Sequence, residues 1–375
     1  IDAEKKTITV RNNDEGKEFA LPFDSLILGL GAEPVNLSIP GAKEFIGRGI
    51  HFVSNLTEAE NLQKAALDSN MKSAVVVGGG AIGLEVAVGL KHLGLDVHIT
   101  KRTPPPFPGA LDPSMGPYIT DKLEEMGMHL HFGKGIDKIS GDDSVTSVEI
   151  AGETIPCDIV VMAVGMRART GLAEGCGLEV SRNGILTDDR METSVPGIYA
   201  VGDCIESFSR IDGSRASMQL ATAAYQMGTI AGINAAGGTT KYRGVLNTFL
   251  SMVGDMEVSA VGLTTEDAKD AGFENAKGIV TKGLIKPHFM PDATKLVLKL
   301  VVDGNDGKLL GAQAVGEQGA AWRINILSLA IGTGMTVFDI ANAEFAYCPP
   351  VSDVYDILSQ AADIAIKRLK LQRPG

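Results

Sequence analysis

Six consecutive residues, Gly78-Gly79-Gly80-Ala81-Ile82-Gly83, match the pattern G-x-G-x-x-G at Gly78, Gly80 and Gly83. In this spacing the first glycine permits a tight turn and the second lets backbone approach a pyrophosphate. The third lets a helix pack closely on a strand. The pyrophosphate then rests on free N–H groups at the positive end of the helix. Glycine is common, so the pattern gains meaning only from its flanks. Here Ser73–Val77 reads as a buried strand, and the loop opens a helix that runs to about Leu93. Ile82, Val86, Leu90 and Leu93 form its expected apolar face, Gly94 stops it, and Leu95–Thr100 reads as a second strand. The chemistry this implies is dinucleotide binding. An acid after the second strand would hold the adenosine ribose, whereas a base accommodates a 2′-phosphate. The residues there are Thr100-Lys101-Arg102, with no acid, which favours NADPH over NADH. The alternative is that Lys101 and Arg102 are solvated loop charges.

A second candidate is Asp203, which follows the strand Ile198–Val201 and Gly202. A carboxylate in that position accepts hydrogen bonds from sugar-type hydroxyls. The plainer reading is a turn aspartate or a helix cap. The four cysteines, Cys157, Cys176, Cys204 and Cys348, are scattered without a CxxC pair, so neither a disulfide framework nor a zinc site is expected. Cys204 and Cys348 read most simply as small buried residues. The six histidines show no metal-ligand spacing, and His129 and His131 read as surface groups on a strand.

Around these residues, two stretches share one grammar. Thr7–Val10, a polar turn and Glu18–Asp24 are followed by a buried run ending at Gly31. Val145–Ile150, the turn Ala151-Gly152 and Glu153–Asp158 are followed by a buried run ending at Gly165. Each copy is a hairpin, then Pro-x-Asp, then a strand closed by glycine. In the second copy the glycine loop precedes the Asp by 80 residues. An equivalent loop for the first copy is expected about 56 residues ahead of Ile1, so the chain reads as lacking the start of its first dinucleotide domain.

These motifs together resemble the FAD-dependent pyridine nucleotide-disulfide oxidoreductases, closest to the branch of coenzyme A disulfide reductases and NADH oxidases. Asp24–Pro34 is similar to the strand that ends in Ala-Thr-Gly there, with Gly29-Leu30-Gly31 in its place. Gly78–Glu85 is similar to the NAD(P) loop, Thr193–Cys204 to the second FAD motif, and Tyr347–Ser352 to the start of the closing helix. The resemblance implies FAD contacts at Gly31, Asp203, Leu220 and Ala221, the last two at a helix beginning near Gln219 whose positive end faces the flavin. It implies NAD(P) contacts at Gly78 to Gly83, Lys101, Arg102 and Gly165. It also implies hydride transfer from NAD(P)H to FAD, then electron transfer to a thiol/disulfide, persulfide or oxygen acceptor.

Two departures stand out. The redox cysteine of that branch has no match among these four, and the His-Pro turn of the broader family is replaced by Tyr347-Cys348-Pro349-Pro350. Tyr347 and Cys348 are therefore the remaining catalytic candidates. On this reading the chain alone is expected to be inactive. The alternatives are an NAD(P)H oxidase or ferredoxin reductase without a thiol step, and a non-catalytic NAD(P)-binding, dimerising remnant.

The expected architecture is α/β. Residues 1–54 and 171–243 form an incomplete Rossmann-like FAD domain, 55–170 a Rossmann-like NAD(P) domain, and 244–375 an α+β dimerisation domain. In the last, Leu296–Val302 and Leu309–Val315 read as an antiparallel hairpin, with helices over Trp322–Ile331 and Ser352–Leu369. Ser352 or Asp353 is the expected N-cap of the second helix. The resemblance implies a homodimer. The formal charge of −12 and the lack of a basic cluster argue against nucleic acid. No apolar run reaches the roughly 18 residues of a membrane span. A cytoplasmic location is the simplest expectation.

Overall fold

The computed structural model describes residues 1–372, which divide into two compact units. The first is Ile1–Glu33 with Met166–Leu246, and the second is Pro34–Gly165 with Asn247–Gly375.

In the first unit the expected hairpin is Thr7–Arg11 paired with Glu18–Pro22. The following strand, Leu26–Leu28, pairs in parallel with Ile198–Ala200. A four-stranded sheet, including Gly184–Leu186 and Ile205–Phe208, lies beyond it. Leu28, Met191, Ile198, Ala200, Cys204, Met227 and Ala231 belong to one buried core, so the helix Ala221–Ala235 packs on these strands through Met227 and Ala231. That helix starts at Ala221, with Leu220 as its extended N-cap, two residues after the expected start.

The second unit is built on a five-stranded parallel sheet in the order Ile50–His51, Ile159–Met162, Ser73–Val77, Asp96–Lys101, His129–Phe132. The inner strands Ile159–Met162 and Ser73–Val77 are almost wholly apolar and buried, as a sheet covered on both faces requires, whereas Asp96–Lys101 alternates buried Val97 and Ile99 with polar residues. One face carries the helices Ala81–His92 and Gly116–Glu125 through Leu84, Ala87, Leu90, Ile119 and Leu123. The other packs Val75, Val77, Val160 and Met162 against Ile139, Val148 and Ile150 of the antiparallel sheet Ile136–Gly141, Val145–Ile150, Glu153–Pro156.

A second, five-stranded antiparallel sheet follows in the order Phe249–Val253, Met256–Gly262, Leu309–Gly316, Lys295–Asp303, Ala276–Leu284. A buried polar cluster ties it to the dinucleotide half of the same unit. Asp112 Oδ2 accepts from Gln313 Nε2 at 2.7 Å and pairs with Lys299 Nζ at 2.9 Å. Its Oδ1 accepts from the Thr265 N–H at 3.1 Å. Truncating one partner of such a buried charge pair costs about 3–5 kcal/mol.

Three expectations need correction. The buried face of the loop helix is Gly83, Leu84, Ala87 and Leu90, while Ile82 and Leu93 are exposed. The face is rotated because Gly83 must sit against the preceding loop: a Cβ there would lie 2.5 Å from Gly78 O. The closing helix is Ile357–Leu369, capped by Asp356. Ser352 is not its cap because its hydroxyl donates to Ala346 O at 2.8 Å, closing the turn before it. Cys348 is exposed, not a buried apolar residue. His129 is exposed and His131 half-buried on the strand His129–Phe132, as expected, and both meet His98 on the adjacent strand.

Candidate functional site

The glycine loop has the three environments that its spacing demands. Gly78 has φ +133°, and a Cβ on it would lie 2.0 Å from Ala163 O. That contact and the one between Gly83 and Gly78 O close the strand–turn–helix unit. Gly80 differs: its φ of −89° and ψ of −174° suit any residue, and a Cβ would meet nothing within 4 Å. Its lack of a side chain therefore keeps space open above the loop. Gly80 is the N-cap of Ala81–His92 and supplies no side-chain cap, so the first-turn N–H groups of Ala81, Ile82 and Gly83 face that space without intrahelical partners. The loop is pinned from outside by Gly78 N–H donating to Thr100 O at 2.9 Å and Phe107 N–H to Gly79 O at 2.7 Å. Gly165, with φ +113°, closes the strand Ile159–Met162 next to it in the sheet. A dinucleotide phosphate fits this cradle in shape and in charge.

Lys101 is not a solvated loop charge. It is 8% exposed, and its ammonium donates to the carbonyl and hydroxyl of Thr103. Its stem passes beneath the loop, where a Cβ on Gly79 would lie 2.7 Å from Lys101 Cδ. Burial pulls its pKa below the usual lysine range. Arg102 is exposed. Glu85, in the second turn of the helix, accepts from Ser251 Oγ at 2.8 Å and so joins the loop helix to the antiparallel sheet. Neither Glu85 nor Asp112 stands out in the sequence, because a lone polar residue in an apolar run carries no sign of its partner.

In the first unit Asp203 lies in a short 3-10 turn, Gly202–Cys204, that Gly202 enters with φ +75°. Burial alone raises its carboxyl above the usual range, with no donor or cation offsetting it. Such a carboxylate is an acceptor awaiting a donor. Beside it the helix Ala221–Ala235 begins without a side-chain cap, and a Cβ on Gly202 would lie 3.4 Å from Ala224 Cβ. Gly31 has φ +68° and open space at its Cβ position. An uncapped helix end, an unpartnered carboxylate and an open glycine suit a polyhydroxyl ligand such as the ribityl chain and ring of a flavin.

The cysteines divide by environment. Burial pushes the Cys157 thiol up to about 12 and raises that of Cys204, so neither is a thiolate at neutral pH. Cys348 and the half-exposed Tyr347 lie in the turn before the closing helix. Ser352 Oγ accepts from the Cys348 N–H at 3.3 Å, and Pro350 O accepts from the buried Lys286 at 3.0 Å.

A parallel sheet opened by a glycine loop, a smaller unit with a half-buried aspartate in a tight turn and a C-terminal antiparallel sheet are the features of the two-dinucleotide oxidoreductase class. The chain belongs to the pyridine nucleotide-disulphide oxidoreductase family, whose model matches residues 1–228, and the family's dimerisation domain matches residues 249–357. It is 36% identical to an NADH oxidase of Methanocaldococcus jannaschii, over 98% of this chain and 82% of that one. An NAD-dependent persulfide reductase from A. fulgidus has the same fold with TM-score 0.94 and 32% identity, covering 99% of this chain and 68% of that one. The reduced CoADR-RHD protein of Bacillus anthracis gives TM-score 0.93 at 28% identity; the chain spans 66% of its length. No helix among the described residues is long and apolar enough to cross a membrane.

Proposed function

We propose that this chain is the NAD(P)H-binding and dimerising part of a flavin-dependent oxidoreductase, which takes hydride from NAD(P)H and passes electrons to a disulfide, a persulfide or oxygen. The observation that carries the reading is the open space over Gly80, framed by uncapped helix N–H groups. Gly78 to Gly83 hold the pyrophosphate of the nicotinamide cofactor, and Gly165 borders the same sheet edge. Arg102 meets the 2′-phosphate of NADPH, while Lys101 supports the loop from below and adds positive potential. Asp203 accepts from ribityl hydroxyls, and the backbone of Gly31, Leu220 and Ala221 borders the flavin.

FAD, when bound, would supply a two-electron carrier between the nicotinamide and the final acceptor. The positive end of Ala221–Ala235 stabilises negative charge that develops on a ring beside it. With a disulfide acceptor the balance is NAD(P)H + H⁺ + RSSR giving NAD(P)⁺ + 2 RSH. Tyr347 donates a proton or hydrogen bond toward the departing thiolate, and Cys348 is the neighbouring candidate in the same exposed turn. Gly31, Asp203, Leu220 and Ala221 border the ribityl and ring end of the flavin. The family's dimerisation domain supports a homodimer.

The test is NADPH and NADH consumption with coenzyme A disulfide, a polysulfide or oxygen as the acceptor, with FAD supplied. Acceptor-dependent consumption that Tyr347→Phe slows supports the reading. Consumption of neither nucleotide with any acceptor overturns it.

A further inference from the structure

Away from the glycine loop, the edge strand of the parallel sheet and its neighbour bring together groups that the proposed redox chemistry does not use. Asp96 and His98 alternate on Asp96–Lys101, and His129 and His131 alternate on His129–Phe132. The strands are parallel, with His98 opposite His129 and Thr100 opposite His131. All four side chains therefore share one face, while Val97 and Ile99 point to the other and are fully buried. Asp96 and His129 begin their strands, so the cluster lies toward the opposite end of the sheet from the glycine loop.

The donor atoms converge. Asp96 Oδ1 is 3.0 Å from His129 Nε2, and Asp96 Oδ2 is 3.6 Å from His98 Nε2. One donor atom from each of the three residues lies within 4.8 Å of the other two. Donors around a tetrahedral zinc ion, bound at about 2.0–2.1 Å, lie roughly 3.3–3.4 Å apart. The remaining nitrogen of His98 is also accounted for: His98 Nδ1 is 3.0 Å from His131 Nε2. When His98 donates through Nδ1 to His131, its Nε2 lone pair is left facing the Asp96 carboxylate. In that tautomer the two acceptors are placed to share one cation. An outer imidazole or carbonyl that fixes the tautomer of an inner histidine is the usual support of a metal ligand.

We propose that Asp96, His98 and His129 bind one divalent late transition-metal ion, of which zinc is the type, with water completing the coordination. His131 is a positioning residue that acts through His98. Two imidazoles and one carboxylate select borderline ions over calcium or magnesium, which prefer all-oxygen sets. The ion would cross-link the edge strand to its neighbour.

The experiment is a titration of the whole chain, without nucleotide, with zinc chloride against a chromogenic chelator, and with cobalt(II) followed by its visible absorption. One ion per chain is expected, with a cobalt spectrum of low-symmetry four- or five-coordinate type. Asp96→Asn and His129→Ala should each weaken zinc binding at least tenfold. His131→Ala should weaken it about 10–100-fold, and His131→Gln, which keeps an acceptor for His98, should recover part of that loss. These side chains are exposed or half-buried, so the variants should retain the wild-type circular dichroism. A Cys176→Ser/Cys348→Ser variant should bind as wild type, which separates the site from thiol ligation. Zinc affinity unchanged in Asp96→Asn and His129→Ala, or lost in the cysteine variant, overturns the assignment.

Discussion

Replacing Gly80 by alanine isolates the binding role of the loop from its folding role. The backbone there, at φ −89° and ψ −174°, is open to any residue, and the new methyl would meet no protein atom within 4 Å. A glycine-to-alanine change at a compatible site stabilises a fold by about 0.4–1 kcal/mol through the unfolded chain. The same methyl projects into the space assigned to the pyrophosphate. Losing that close approach should weaken nucleotide binding about 10–100-fold, or ~1.4–2.7 kcal/mol. Gly78→Ala is the counterpart. It forces alanine to φ +133° and drives its Cβ to 2.0 Å from Ala163 O, so the fold itself suffers. Backbone strain of ~1–3 kcal/mol and overpacking of ~1–3 kcal/mol add there. Thermal unfolding and calorimetric titration with NADPH and NADH read both effects. Gly80→Ala should melt at or above the wild-type temperature and bind poorly, whereas Gly78→Ala should melt well below it. Wild-type nucleotide affinity in a folded Gly80→Ala chain would refute the reasoning.

Arg102→Ala should lower NADPH affinity about tenfold, the worth of ~1.5 kcal/mol for one charge-assisted contact, and leave NADH binding unchanged; titration with both nucleotides checks this. Lys101→Ala should cost stability by ~1–3 kcal/mol, because it empties the space under Gly79 and removes the charged hydrogen bonds to Thr103, and denaturant unfolding would show it. Asp203 is raised by burial, so its folded state holds a proton more tightly than the unfolded chain. Its contribution therefore favours folding below the unfolded pKa and is lost as pH rises through the folded value. Asp203→Asn should accordingly melt at or above the wild-type temperature at neutral pH while binding FAD more weakly, as flavin fluorescence quenching would report. Val354, 73% exposed beside the closing helix, should lie in the dimer contact, and Val354→Asp should shift light scattering toward the monomer mass.

Where a physical rule acts over a few residues, the sequence was legible. The G-x-G-x-x-G spacing located the loop, because Gly78 and Gly83 answer close local contacts and Gly80 leaves space open above them. The Pro-x-Asp hairpin repeat located both strands, although Ile159–Met162 is buried throughout while Leu26–Leu28 buries only Leu28, and in its second copy Asp158 Oδ2 accepts the backbone N–H groups of Lys72 and Ser73, which fixes the entry to the loop strand. Features set by distant partners were hidden. The direction of Lys101 depends on Thr103 and on the loop above it. The cap of the closing helix moved to Asp356 because that carboxylate also holds the buried Arg323, 33 residues away, at 2.6 Å. The histidine cluster spans two strands separated by a helix, so no contiguous motif marks it. The faint signal was the pair of alternations, Asp96-Val97-His98 and His129-Leu130-His131, on strands that a βαβ unit sets side by side.

The central claim is that hydride enters through the glycine cradle and reaches a flavin. Its most direct test is anaerobic addition of NADPH or NADH to the protein with saturating FAD, following the visible flavin band of wild type and Gly80→Ala in parallel. The account predicts stoichiometric bleaching in the wild type and, at the same nucleotide concentration, slow or absent bleaching in Gly80→Ala. A flavin that stays oxidised in the wild type, or that bleaches equally fast in both, would contradict it.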